Sequence, residues 1–97
     1  MTRMDVEEAL RHVIEEIQIQ SGRSQPAWTS DLQPIGDLDG FDSLNAEEAV
    51  VALEEALGVS LVGDFFVSND GRRALRWKEI VDRICAVATN RGKGSHA

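Results

Sequence analysis

The sequence predicts an all-α fold, a small bundle of amphipathic helices in a single domain. Three segments repeat apolar residues at intervals of three and four, one near each end of the chain and one between them. That spacing places the apolar side chains along one face of an α-helix. The chain has 97 residues, which is enough for one small hydrophobic core.

The net charge of the chain is −7 at pH 7, and the charges are unevenly distributed. Ten acidic residues and no Lys or Arg lie between Ser24 and Gly71, whereas all ten basic residues lie outside that span. An acidic surface repels nucleic acid and anionic membranes, so we expect neither as a partner. Proteins with basic surfaces are the expected partners.

The single cysteine, Cys85, excludes an internal disulfide bond and does not point to an oxidising compartment. It lies beside the apolar face of the last predicted helix, where we expect an inert, partly buried thiol. The sequence shows no signal peptide and no apolar run of bilayer length. We therefore expect a cytoplasmic protein without a membrane span, and a monomer.

The first predicted helix carries one apolar stripe and ends at Ser21-Gly22, with Gly22 as the residue after the C-cap. The stripe consists of Val6, Leu10, Val13, Ile14 and Ile17. His12 falls on the polar side among glutamates, so we expect it to be solvated and not catalytic.

A long connection follows, from Gly22 to Phe41, punctuated by prolines and glycines. Five apolar residues recur along it, the last four at intervals of three: Trp28, Leu32, Ile35, Leu38 and Phe41. This spacing favours a loop laid over the core, with a 3₁₀ turn as one possibility, and not a disordered linker.

The second long helix is predicted from about Ser43 to Leu57, with Gly58 as its stop signal. Its apolar face is predicted to contain Leu44, Ala49, Val50, Leu53, Ala56 and Leu57, and its glutamates to lie largely outside that face. Two positions compete as the start of the helix. Ser43 is one, and Asn45, followed three residues later by Glu48, is the other.

The segment from Val59 to Arg76 gives the weakest pattern. Asp64 is predicted to cap a short third helix, with a strand from Leu61 to Val67 as the alternative. The last helix is predicted from the stripe Trp77, Ile80, Val81, Ile84, Val87 and Ala88, and is expected to end near residues 90–92. We therefore expect a folded domain over residues 1–91 and a flexible tail over residues 92–97.

Ser43 stands between Asp42 and Leu44 at the predicted start of the second long helix. Backbone N–H groups point outward at a helix N-terminus and the macrodipole is positive there, so a phosphate on this hydroxyl would be favoured. The alternative is that Ser43 only caps the helix, which contributes about 1 kcal/mol.

The residues from Ile35 to Leu61 resemble the acyl carrier protein family. The resemblance rests on Gly40-Phe41-Asp42-Ser43-Leu44, then Glu48, Leu53-Glu54-Glu55, Gly58-Val59 and Leu61. It implies a four-helix bundle of the acyl-carrier type, with a long first loop and a short, irregular third helix. It also implies that Ser43 receives a covalent 4′-phosphopantetheine arm from coenzyme A, with Asp42 and Leu44 completing the cofactor-binding motif.

The function that the resemblance implies is that of a non-catalytic phosphoprotein, which carries acyl groups as thioesters on the arm. Its partners would be a phosphopantetheinyl transferase and acyl-transferring or acyl-modifying enzymes. These enzymes would dock on the acidic helix through Asp42, Glu47, Glu48, Val51 and Glu54. The family usually has an apolar residue where this chain has Glu47, and the segment from Gly63 to Arg76 also departs from it. Both departures favour a dedicated biosynthetic pathway, of fatty acid or polyketide type, over general lipid synthesis.

Two other functions remain open, an unmodified carrier-like interaction module and a peptidyl or aminoacyl carrier. An enzyme is not expected, because Ser43 has no histidine or other base placed by the sequence to activate it. No cluster of metal ligands is apparent in the sequence.

The segment before the last helix holds a basic cluster, Arg72, Arg73, Arg76 and Lys78. One interpretation is a solvated turn whose charges partly neutralise the acidic bundle. The other is that these residues approach a phosphate on Ser43, while Phe65 and Phe66 line the route of an acyl chain into the core.

Overall fold

The computed structural model describes residues 2–94 of the protein, with side chains described as far as residue 88. The helices are α1 (Arg3–Gln20), α2 (Pro34–Asp37), α3 (Ser43–Leu57) and α4 (Trp77–Gly94). Within this range there is no strand, and the only bridge pairs Val67 with Ala74. The prediction of an all-α fold is confirmed.

The core lies where α1 packs against both α3 and α4. Aliphatic side chains from these three helices fill most of it, and four aromatic side chains complete it from the connecting segments and the start of α4. Its fully buried side chains include Leu10, Ile14, Leu53, Ile80 and Ile84. The buried aromatic residues are Phe41, Phe65, Phe66 and Trp77.

Both ends of α1 are capped. The Thr2 side chain accepts a hydrogen bond from the Asp5 N–H, and the Asp5 carboxylate accepts one from the Thr2 N–H, which together form a capping box. At the other end the helix stops at Ser21, and Gly22 follows with a φ of 70°. Glycine is the residue that adopts this left-handed conformation most easily, so the predicted stop at Gly22 is confirmed.

The long connection between α1 and α3 lies over the core and caps the start of α4. The Trp77 N–H donates to the Leu32 carbonyl at 2.6 Å, and the Lys78 N–H donates to the Ser30 carbonyl at 3.1 Å. Trp28 packs edge-on against Trp77, with ring centroids 5.2 Å apart. The loop thus supplies hydrogen-bond acceptors for two N–H groups in the first turn of α4. The prediction of a loop laid over the core is confirmed.

The predicted short helix after Asp64 is wrong, and residues 58–76 are irregular apart from one bridge. Gly63 has a φ of 112°, a conformation outside the helical region, just where the helix would begin. Further along, the Leu75 N–H donates to the Phe66 carbonyl and the Ser68 N–H to the Arg73 carbonyl. The segment therefore folds back on itself in a tight turn, and the alternative of a strand reduces to this single bridge.

The last helix runs to Gly94, beyond the predicted end near residues 90–92. Residues 95–97, the rest of the predicted tail, lie outside the described residues. Cys85 is half-buried in α4, and burial raises the pKa of its thiol. No helix in the described part of the chain is both long and apolar enough to cross a membrane.

Candidate functional site

The residue that caps α3 is Asp42, and Ser43 is the first residue of the helix. Asp42 Oδ1 accepts a hydrogen bond from the Asn45 N–H at 3.0 Å, while Asn45 Oδ1 faces the Asp42 N–H at 3.4 Å. The predicted helix from Ser43 to Leu57 is therefore confirmed, whereas Ser43 and Asn45 are both wrong as the residue that caps it. Because Asp42 does the capping, the exposed Ser43 hydroxyl makes no hydrogen bond within the described part of the chain.

A buried polar network holds the first turn of α3 against the end of α1. Gln18 is fully buried and its amide nitrogen donates to the Asp39 carbonyl at 2.8 Å. Arg23 Nη1 donates to Asn45 Oδ1 at 2.9 Å and lies 3.4 Å from Gln18 Oε1. The turn that leads into α3 and the first turn of the helix are thus both tied to α1.

Gly40 allows this network to form. It has a φ of 66°, and a Cβ at this position would lie 2.7 Å from Nε of Arg23. Any larger residue would therefore be strained and would displace the arginine. The roles of Gln18 and Arg23 could not be identified from the sequence, because a polar residue near a helix end is usually solvent-exposed. The one sequence feature that points to this network is the Gly40-Phe41 pair directly before the Asp-Ser-Leu motif.

A groove of about 380 Å³ opens beside Ser43, between α3 and the irregular segment that follows it. Its lining includes apolar side chains from both walls, among them Val50 and Phe66. Phe66 is buried and packs against Phe41, with ring centroids 5.7 Å apart. The complete lining is Ile35, Ser43, Ala46, Glu47, Val50, Val51, Glu54, Leu61, Gly63, Asp64, Phe65, Phe66 and Val67. The groove therefore joins a free hydroxyl to an apolar surface that reaches the core.

Glu54, predicted as a docking residue, is half-buried and lines this groove. Its Oε2 accepts a hydrogen bond from the Leu61 N–H at 2.8 Å. The carboxylate thus anchors the segment that follows α3, and its charge is less available to a partner than that of an exposed glutamate.

The other predicted docking residues lie on an exposed face of α3. Val51 is 59% exposed and Leu44 is 67% exposed, so the prediction that Leu44 belongs to the buried face is wrong. Ala46 is buried in its place. A shallow depression on this face is lined by Leu44, Glu47, Glu48, Val51, Ala52 and Glu55. Asp42, at the head of the helix, is also exposed.

The basic cluster before α4 is largely paired within the protein. Arg73 makes two hydrogen bonds to the Glu79 carboxylate, at 3.0 and 2.9 Å, and this pairing lowers the pKa of Glu79 to about 2. Arg76 and Lys78 both lie within ion-pair distance of Asp31, at 3.6 and 3.7 Å. These contacts favour the interpretation of a surface turn over that of a phosphate site.

The described side chains include no group of three or more His, Cys, Asp or Glu residues that could hold a metal ion. No family model, curated protein sequence or solved structure matches this chain. The resemblance to acyl carrier proteins thus stays a prediction.

Proposed function

We propose that the protein is an acyl carrier, folded as a bundle of the acyl-carrier type, in which Ser43 bears a 4′-phosphopantetheine arm. One observation carries the proposal above the others. The hydroxyl of Ser43 is exposed at the first position of α3, is not used as the helix cap, and borders an apolar groove of about 380 Å³. A purely structural serine at this position would need neither the free hydroxyl nor the groove.

The attachment chemistry requires little of this chain beyond the position of Ser43. Its Oγ would form a bond to the phosphorus of the phosphopantetheine phosphate as the pyrophosphate bond of coenzyme A breaks, releasing adenosine 3′,5′-bisphosphate. The hydroxyl proton would pass to a base on the transferase. The new phosphodiester would sit at the positive end of α3, where backbone N–H groups of the first turn stabilise negative charge. The thiol at the end of the arm would hold the acyl cargo as a thioester.

The groove suits an aliphatic acyl cargo, because the chain would gain by leaving water for the side chains of Val50, Leu61 and Phe66. An aminoacyl cargo stays the alternative, since the carboxylates of Glu47, Glu54 and Asp64 also line the groove. Partner enzymes would approach the exposed face of α3, whose acidic residues attract basic surfaces.

Intact mass after incubation with coenzyme A and a broad-specificity phosphopantetheinyl transferase tests the proposal. We expect the wild type to gain the mass of one phosphopantetheine group, and Ser43→Ala to gain none. Ser60→Ala, which removes an exposed serine outside α3, is the matched control and should be modified like the wild type. Modification of Ser43→Ala would contradict the site, and no modification of the wild type would favour the unmodified interaction module.

The rate of the same reaction tests the docking face. Glu47 is exposed on α3 and Glu8 is exposed on α1, so Glu47→Lys and Glu8→Lys change the net charge equally. We expect Glu47→Lys to slow modification more than Glu8→Lys does, and the difference to shrink as salt screens the charges. Equal rates for the two variants would contradict a docking face localised on α3.

A further inference from the structure

The groove wall opposite α3, residues 61–67, has few hydrogen bonds of its own. Between residues 62 and 67 no backbone N–H donates a hydrogen bond to another described residue. Phe65 and Phe66 are nevertheless only 3% exposed, because their rings turn into the core. Among the described residues, the one backbone hydrogen bond to this pair is the bond that the Phe66 carbonyl accepts from the Leu75 N–H, so the position of the backbone around the rings depends largely on side-chain contacts.

The side chain of Arg83 supplies these contacts from α4. Its Nη1 donates to the carbonyls of Asp64, at 3.0 Å, and Val67, at 2.9 Å. Its Nη2 donates to Oδ1 of Asn69 at 2.9 Å. The two carbonyls lie on either side of the Phe65-Phe66 pair. A planar guanidinium that bonds to both therefore fixes the backbone on each side of the rings that line the groove.

The opposite end of the wall is anchored by Glu54, which accepts a hydrogen bond from the Leu61 N–H, and by the buried Leu61 side chain. Between the two anchors lie Val62, which is 85% exposed, and Gly63, whose φ is 112°. This stretch has neither packing nor hydrogen bonds to resist bending. The wall is thus held at one end by the Glu54 carboxylate of α3, and at the other by the Arg83 guanidinium of α4 together with the hydrogen bond from the Leu75 N–H to the Phe66 carbonyl.

We propose that Arg83 is a positioning residue for cargo, which fixes the wall at residues 61–67 and thereby sets the width of the groove beside Ser43. The part of this proposal that concerns cargo rests on the proposed carrier function. Arg83 does not line the groove itself and touches no reacting atom. It acts through the wall, so its loss should widen the range of chain lengths that the groove accepts.

Amide hydrogen exchange on the unmodified protein tests the positioning role first. The informative amides are those of Ser68 and Leu75, which are hydrogen-bonded within the segment. In Arg83→Gln we expect both to exchange roughly tenfold faster or more, because hydrogen bonds from a charged group are lost. Arg72→Gln, which removes the same charge from an exposed side chain, should leave their exchange unchanged.

The core helices provide the internal reference for this measurement. If the amides of Ile14 and Ile80 accelerate in Arg83→Gln as much as those of Ser68 and Leu75 do, the arginine stabilises the whole fold and the proposal is wrong. Unchanged exchange at Ser68 and Leu75 would overturn it equally. No arm on Ser43 is needed here, so this result is independent of whether the carrier function holds.

The cargo itself is tested on protein loaded from butanoyl- and dodecanoyl-coenzyme A, with hydroxylamine cleavage of the thioester as the measure of shielding. In the wild type we expect the dodecanoyl thioester to be cleaved faster, because a fixed groove shields only the shorter chain. Arg83→Gln should slow cleavage of the dodecanoyl thioester and leave the butanoyl thioester unchanged, since a longer apolar chain gains most from a movable wall. An equal change for both chains, or none, would contradict a role in cargo size.

Discussion

The two sides of the groove are held in different ways. On the Ser43 side, the first turn of α3 combines a helix cap with a buried network that runs from Gln18 through Arg23 to Asn45. On the other side, residues 61–67 are irregular apart from one bridge at Val67, and their main polar contacts are with two side chains, Glu54 and Arg83.

In the proposed carrier, the two sides of the groove meet two different requirements. An attachment point must be presented to a transferase in one fixed position, and redundant hydrogen bonds achieve this because the loss of one leaves the others in place. A cargo groove must instead match the size of what it holds, and a wall fixed by few contacts lets a single side chain such as Arg83 set that size. Of the four predictions below, three alter one side or the other and the fourth alters the turn before α4, in order from the largest expected effect to the smallest.

Phe66→Ala should have the largest effect, because it removes a buried ring that joins the wall to the core. We expect a loss of about 3–5 kcal/mol in the free energy of unfolding, measured by urea denaturation. The control is Val62→Ala, which shortens an 85% exposed side chain of the same wall. Its effect should stay within roughly 0.5 kcal/mol. Similar losses from the two variants would contradict the described packing of the wall.

Gln18→Ala should destabilise the Ser43 side. The substitution leaves the Asp39 carbonyl without its donor and opens space in a fully buried position. We expect a loss of about 1–3 kcal/mol in the free energy of unfolding. Gln20→Ala changes an exposed residue of the same type on the same helix, and should shift stability by no more than about 0.5 kcal/mol. A negligible effect of Gln18→Ala would show that the network does not hold the turn.

Asp42→Ala and Ser43→Ala separate the cap from the attachment point. Loss of the Asp42 cap should lower the free energy of unfolding by about 1 kcal/mol. Ser43→Ala should change it by no more than about 0.5 kcal/mol, because the hydroxyl makes no hydrogen bond within the described chain. The reverse order in thermal or urea unfolding would mean that Ser43, and not Asp42, caps α3.

The smallest effect concerns the turn before α4, where Arg73 lowers the pKa of Glu79 to about 2. A carboxylate with a lowered pKa in the folded state contributes stability that is complete above its ordinary pKa of 4.5 and is lost as the pH falls towards about 2. In Arg73→Gln the midpoint of the Glu79 titration, followed by NMR, should rise towards its ordinary value. An unchanged midpoint would rule out this ion pair as the cause.

The sequence predicted the elements whose pattern is local. Apolar stripes predicted α1, α3 and α4, and Gly22 and Gly58 marked two helix ends correctly, because a left-handed residue after a helix strongly favours glycine. Ser43 was singled out from its immediate neighbours, and its role as an attachment site stays a prediction.

What the sequence could not predict depends on contacts between distant segments. Nothing near Gln18 indicates that its amide bonds to Asp39, since that pairing exists only once the loop has folded back on α1. Likewise Arg83 reads as an ordinary polar residue of α4, although its guanidinium bonds to three acceptors in another segment. The short helix predicted after Asp64 does not form, because the backbone turns at Gly63 and the apolar residues that follow pack into the core from an irregular segment.

The central claim is that the Ser43 hydroxyl and the apolar groove form one site. Amide and methyl chemical shifts of the phosphopantetheine-bearing protein, compared with and without a butanoyl group on the arm, test it most directly. We expect the shifts of Ala46, Val50 and Phe66 to change, while those of Ala9 on α1, which does not line the groove, stay the same, because the chain enters the groove. Changes restricted to Ser43 and its immediate neighbours, with Val50 and Phe66 unaffected, would contradict the claim.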